Sequence, residues 1–184
     1  MTPHEAASSN LARASRIMAW LALAGAIVYV ALDIGTLLFP DTLTAFGAFE
    51  AHHLGMQSLS NIPLALRTGA LALDLIPTAL FAWMLLELHR LFLAYAGGAV
   101  FTEESLGRLS RISALMFVQA AAAFVMEAPI SYVLSLAHPS GRHEVTLSLT
   151  SSDVSFLFVA GVALVIARVM AEARRMAVEN AEFV

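Results

Sequence analysis

Two residue types are missing from the chain. It has no cysteine, which excludes disulfides, thiolate metal sites, thiol catalysis and S-acylation, and leaves the compartment open. It has no lysine either, so all ten basic residues are arginine. Charge of both signs is scarce: Asp, Glu, Lys and Arg make up 13% of the residues, against about 25% in an ordinary soluble domain. The formal net charge is -4 and the arginines are scattered among segment ends. No basic face of the kind that neutralises a phosphate backbone results, and direct nucleic-acid binding is not expected. Catalytic signatures are missing too: there is no phosphate-binding glycine loop, no nucleophile elbow and no HExxH. The chain reads as a protein that is not an enzyme and that carries no cofactor.

What is present in excess is apolar. Hydrophobic residues reach 59%, above the roughly 45–50% of soluble proteins. The fold class that follows is an all-α integral membrane protein, with residues 1–184 forming a single four-helix transmembrane domain. Its spans are expected at about 17–39, 68–95, 111–136 and 154–175, each long enough for a hydrocarbon core of about 30 Å at about 1.5 Å per residue. Small residues around Ala45 to Ala48 would suit a signal protease. The first apolar run is nevertheless longer than a typical h-region of about 7–15 residues, so a retained helix is expected.

Between the first two spans, Leu43, Phe46, Phe49 and Leu54 recur at helical spacing around Glu50, His52 and His53. That pattern predicts a short amphipathic helix lying at the membrane surface in the first outer loop. In the second outer loop Pro139-Ser140-Gly141 marks a turn, and Val145, Leu147 and Leu149 alternate with polar residues as in a short strand. Arg13, Arg16, Arg90, Arg108, Arg111, Arg168, Arg174 and Arg175 fall on one side of a four-span arrangement, and only Arg67 and Arg142 on the other. By the positive-inside rule both termini and the middle loop are cytoplasmic, in a multi-pass protein of the inner membrane.

The middle loop, AGGAVFTEESLGRLSRIS (residues 96–113), has Thr102 placed to cap a helix, with Glu103 and Glu104 in the first turn where the helix dipole favours acids. This stretch resembles a bacterial membrane family of unknown function, domain of unknown function 2975. In that family a second span ends in a glycine-containing turn, and Phe-Thr with an acid then opens a helix bearing spaced arginines. The end of the chain, VMAEARRMAVENAEFV (residues 169–184), is similar to the family's closing segment. Ser105 stands where the family's pattern has Asn, and the helix through Arg108 and Arg111 is sparser in basic residues. The resemblance implies a regulatory or sensory membrane protein, associated with a small helix-turn-helix regulator. On that reading Phe101, Thr102, Glu103, Glu104, Arg108 and Arg111, with the tail from Arg174, form a cytosolic surface for a soluble partner.

Three acids lie inside the expected spans. Asp33 and Asp74 each fall about 9 Å below the outer boundary and Glu127 about 13 Å below it. A charge in hydrocarbon costs at least about 2.5–3.5 kcal/mol, so these carboxyls should face the bundle interior or be neutralised. Pro77 and Pro129 free the carbonyls of Leu73 and Val125 nearby. Acids and freed carbonyls at one level suit a cation or proton site, the basis of a small ion-coupled carrier. Four spans are few for a monomeric carrier, so that role requires a homo-oligomer. Equally, each acid can be neutral or bonded to a hydroxyl such as Tyr29, Thr78 or Ser131. His52, His53, His138 and His143 fall in the outer loops, an inventory that suits a divalent metal or another outer-face ligand. No fixed ligand spacing accompanies them, and solvent-exposed loop histidines account for them better than a metal site does. His89 has no intramembrane histidine opposite it for a haem pair. Glu87 and Arg90 are spaced to pair along one helix, and Gln119 before Ala120 to Ala123 suggests close helix packing.

Overall fold

The computed structural model describes residues 3–39, 62–100, 102–137, 145, 147, 149 and 151–182. Four helices account for nearly all of them: α1 (Pro3–Leu38), α2 (Leu64–Ala96), α3 (Glu103–Ser135) and α4 (Ser151–Glu182). Each contains a stretch long and apolar enough to cross a membrane: Asn10–Gly35, Leu64–Ala96, Glu103–Ser135 and Asp153–Met176. The chain is thus an all-α, multi-pass membrane protein. A helix of 33 residues, such as α2, rises about 50 Å, well past a hydrocarbon core of about 30 Å.

The helices overrun the expected spans where the flanking residues favour helix. α1 begins at Pro3 rather than at 17, because Glu5, Ala6, Ala7, Leu11, Ala12 and Arg13 are strong helix formers and proline is tolerated in a first turn. α2 begins at Leu64, directly after Pro63, and α4 carries the polar tail on to Glu182. Pro77 and Pro129 sit inside α2 and α3 without ending them. The amphipathic helix predicted in the first outer loop lies outside the described residues, as do His52, His53, Phe101, His138 and His143. Val145, Leu147 and Leu149, where alternation predicts a strand, are exposed and lie in no helix or strand.

Packing is that of a membrane protein: alanines stand beside Leu, Ile and Met inside, and many large apolar residues face outward. Ala19, Ala22, Ala26, Ala70, Ala160 and Ala167 are buried, while Trp20, Ile27, Val125, Phe158, Val165 and Val169 are more than half exposed. In lipid no hydrophobic force draws large side chains inward, and close backbone approach over small residues supplies the dispersion contacts instead.

The chain divides into two compact units. One holds Met1–Ala26, Trp83–Phe117 and Ser155–Val184; the other holds Ile27–Ala82 and Val118–Val154. In the first, α1 meets α2 across Gly25, where an added Cβ would stand 3.8 Å from Leu85. In the second, Ile62, Ala70 and Leu134 form a core with Leu66, Ile130 and Val133 around them. Arg67 Nε donates to the Ile62 carbonyl there at 2.9 Å, closing the start of α2.

The α2–α3 turn is set by Gly98, the one described residue with positive φ, at 84°. Ala99 N donates to the Ala94 carbonyl at 2.9 Å and Gly98 N to that of Tyr95 at 3.0 Å, the paired bonds of a Schellman motif. Gly98→Ala is expected to cost roughly 1–2 kcal/mol, since a Cβ disfavours that backbone region. Gly97→Ala meets only ordinary contacts, the nearest 3.5 Å away, and should cost clearly less. Unfolding midpoints of the two variants in detergent check the difference.

Candidate functional site

In the first unit the turn positions a buried ion-pair cluster. Thr102 caps α3: its Oγ1 accepts from Ser105 N at 3.2 Å, and Ser105 Oγ donates to the Ala99 carbonyl at 2.6 Å. Ser105 thereby ties the first turn of α3 back to the glycine turn. With the hairpin fixed, residues equidistant from the turn come together. Glu87 lies eleven residues before Gly98 and Arg108 ten after it.

Glu87 is 1% exposed, and three guanidinium groups converge on it. Arg90 Nη1 reaches Oε1 at 3.1 Å, Arg111 Nη1 reaches the same oxygen at 3.5 Å, and Arg108 Nη1 reaches Oε2 at 3.3 Å. Arg108 Nη2 also pairs with Glu104 at 2.6 Å. Three arginines thus face two glutamates, and only one of those carboxylates is buried. The Arg108 Nε is buried with no hydrogen-bond partner among the described residues. On the α1 side, His89 Nδ1 donates to the Ala19 carbonyl at 2.8 Å, and its ring stands edge-on to Trp20 with centroids 6.1 Å apart. A ring nitrogen facing a carbonyl must carry the proton, so this bond fixes the imidazole's orientation.

Of the residues expected to form a contact surface, Glu103 and Glu104 point outward, with side chains 89% and 75% exposed. Arg108 and Arg111 instead turn toward Glu87, Arg111 keeping about half its side chain in solvent. Arg174 pairs with Glu103 at 3.4 Å, so the start of α3 and the tail of α4 adjoin.

In the second unit Asp33 and Asp74 meet. Thr78 Oγ1 donates to Asp33 Oδ2 at 2.7 Å, and the Asp74 carboxyl is in hydrogen-bonding contact with that of Asp33. The Tyr29 hydroxyl lies against Thr78 and faces both acids, its ring tilted on Phe81 with centroids 4.4 Å apart. The Ser131 hydroxyl donates to the Ala128 carbonyl at 2.9 Å. Glu127 is half-buried, and no group of three His, Asp or Glu able to hold a metal occurs among the described residues.

The family profile described as a protein of unknown function, DUF2975, matches residues 55–184. The chain belongs to the DUF2975 family. The matched region takes in α2, α3 and α4, and with them the whole Glu87 cluster, its turn and the Glu103–Arg174 contact. Asp74 and Thr78 are inside the match; Asp33 and Tyr29, on α1, are outside it. No curated protein and no solved structure matches this DUF2975 chain.

The convergence on Glu87 is not apparent from local spacing, which suggests only the Glu87–Arg90 pair. Its signal was the near-equal distance of Glu87 and Arg108 from a Gly-Gly turn flanked by two apolar helices. The Asp33–Asp74 contact had a plainer signal, equal depth on adjacent spans.

Proposed function

We propose that this chain is a regulatory or sensory protein of the bacterial cytoplasmic membrane, contacting a soluble partner, such as a small helix-turn-helix regulator, through its arginine-rich cytoplasmic end. The observation that carries this reading is the Glu87 cluster. A glycine turn, a threonine cap and the two guanidinium contacts that Arg108 and Arg111 make with Glu87 hold the end of α2 and the start of α3 in one arrangement, leaving Glu103, Glu104 and half of Arg111 in solvent. A charged surface already ordered before binding loses little entropy when a partner docks. The excess of arginine at this end supports a cytoplasmic placement.

The absence of native cysteine makes the orientation directly testable. Glu104→Cys is expected to react with a membrane-impermeant maleimide in inverted vesicles and not in intact cells; labelling in intact cells would refute the orientation. For the surface itself, a partner that co-purifies with the native chain is expected to be lost from the Arg108→Ala, Arg111→Ala double variant. Retention of the partner by a folded double variant would remove this surface from the proposal. A second reading, a small homo-oligomeric carrier coupled to protons or cations, draws its support from the Asp33–Asp74 contact.

A further inference from the structure

Two hollows along α4 point to a ligand of their own. The first is a groove of about 490 Å³ between the start of α3 and the end of α4, lined in part by Leu106, Gly107, Arg168, Ala171 and Arg174. The second is an apolar hollow of about 440 Å³ formed by Phe158, Gly161, Val162, Val165 and Ile166. We propose that the two together bind an anionic phospholipid, its phosphate in the groove between Arg168 and Arg174 and an acyl chain in the hollow over Gly161.

The groove has cationic donors without acceptors. Arg174 gives Nη2 to Glu103, but its Nη1 is buried with no hydrogen-bond partner among the described residues. A buried guanidinium N–H left unpaired is costly, and a phosphate oxygen is the acceptor that matches it in charge and geometry. Arg168 is exposed and forms no ion pair among the described residues. Arg175, by contrast, is occupied by Glu172 at 2.5 Å and Glu179 at 3.7 Å. Glu103 and Glu179 also line the groove, so what it holds in excess is N–H donors: Arg168 and the Nη1 of Arg174. Ala171, one turn beyond Arg168, and Gly107 opposite keep the space between the donors open. An added Cβ at Gly107 would meet no atom within 4 Å.

The hollow distinguishes a lipid from a free phosphate. Its residues recur at i, i+3, i+4, i+7 and i+8, one face of the span, and Gly161 interrupts that face with no side chain. Arg168 follows Gly161 by seven residues, two turns or about 10 Å along the helix, so a chain laid over Gly161 emerges at the guanidinium. Basic residues at the end of a span sit at headgroup depth, where anionic lipids are recognised by this combination of charge and apolar contact.

The test is native mass spectrometry of the full-length chain purified in dodecylmaltoside. It is titrated separately with dioleoyl phosphatidylglycerol, dioleoyl phosphatidylcholine and glycerol 3-phosphate. Phosphatidylglycerol should be retained at least about tenfold more tightly than phosphatidylcholine, a difference that two charge-assisted hydrogen bonds can supply. Arg168→Gln with Arg174→Gln should abolish that preference, Arg168→Lys should keep most of it, and Gly161→Leu should weaken retention by filling the hollow. Arg168→Gln alone, at an exposed position, still reads the site if the double variant does not fold. Equal retention of the two lipids, or a preference that survives Arg168→Gln in full, overturns the proposal. Glycerol 3-phosphate binding as tightly as phosphatidylglycerol overturns it in favour of a soluble phosphate.

Discussion

Glu87→Ala is expected to be the most damaging single substitution in the arginine-rich unit, costing about 3–5 kcal/mol, as breaking a buried ion pair on one side does. The cost arises less from the lost attraction than from what is left behind. Arg108, with 21% of its side chain exposed, would lose its buried acceptor and retain only Glu104 in solvent. Arg90 and Arg111 are each 57% exposed and can turn back to water, which places the expected loss at the lower end of the range. Glu87→Gln keeps one acceptor oxygen and should fall between Glu87→Ala and the native chain. Glu87→Leu combined with Arg108→Leu should recover much of the loss, because a buried ion pair replaced on both sides by apolar groups is often near neutral. Unfolding in mixed detergent, followed by far-UV circular dichroism, measures all three. A Glu87→Ala midpoint indistinguishable from native would mean that the cluster does not hold the α2–α3 hairpin, and the preorganised surface proposed above would lose its support.

The pattern of what was legible follows from the same physics. Length and composition locate four spans because a bilayer imposes a minimum apolar run, and Gly98 and Thr102 mark helix ends through local backbone requirements. Which face of each helix points inward is far harder to read, because a span apolar on every side has no amphipathic stripe. Gln119 and Ala120 to Ala123 suggested close packing, yet none of these residues is buried and Ala121 is exposed. The small-residue contact that does form is Ala19, Ala22 and Ala26 on α1, spaced three and four apart and hidden among large apolar neighbours. Asp33 and Asp74 could be matched because depth depends only on counting residues from a span's end. Glu127 lies about 4 Å deeper by the same count, and depth alone says nothing of the direction in which its side chain leaves α3. Arg108 and Arg111 were recognised as important from the family resemblance, but their inward turn toward Glu87 depends on hairpin register, which no single helix reveals.

Replacing both Asp33 and Asp74 with asparagine separates a carrier from a merely packed pair. If the two carboxyls carry protons, proton uptake into pyranine-loaded liposomes containing the native chain is expected to fall by at least about tenfold in the Asp33→Asn, Asp74→Asn variant, since neither amide can release a proton. Packing should change little, because an asparagine at 33 still offers Thr78 a carbonyl acceptor. Asp33→Ala makes the opposite change. It leaves the Thr78 hydroxyl, 2% exposed, without its acceptor and removes the neighbour of Asp74, and should cost about 1–3 kcal/mol of stability. Glu127→Gln provides the internal comparison: a carrier that uses the Asp33–Asp74 pair alone keeps flux near native when Glu127 is changed, and Asp74→Asn with Glu127→Gln then does no more than Asp74→Asn. Native flux in the double asparagine variant would end the carrier reading and leave the pair as a hydrogen-bonded link between α1 and α2. A loss of flux in the double asparagine variant with its unfolding midpoint near native would assign the proton to the carboxyls rather than to the packing around them.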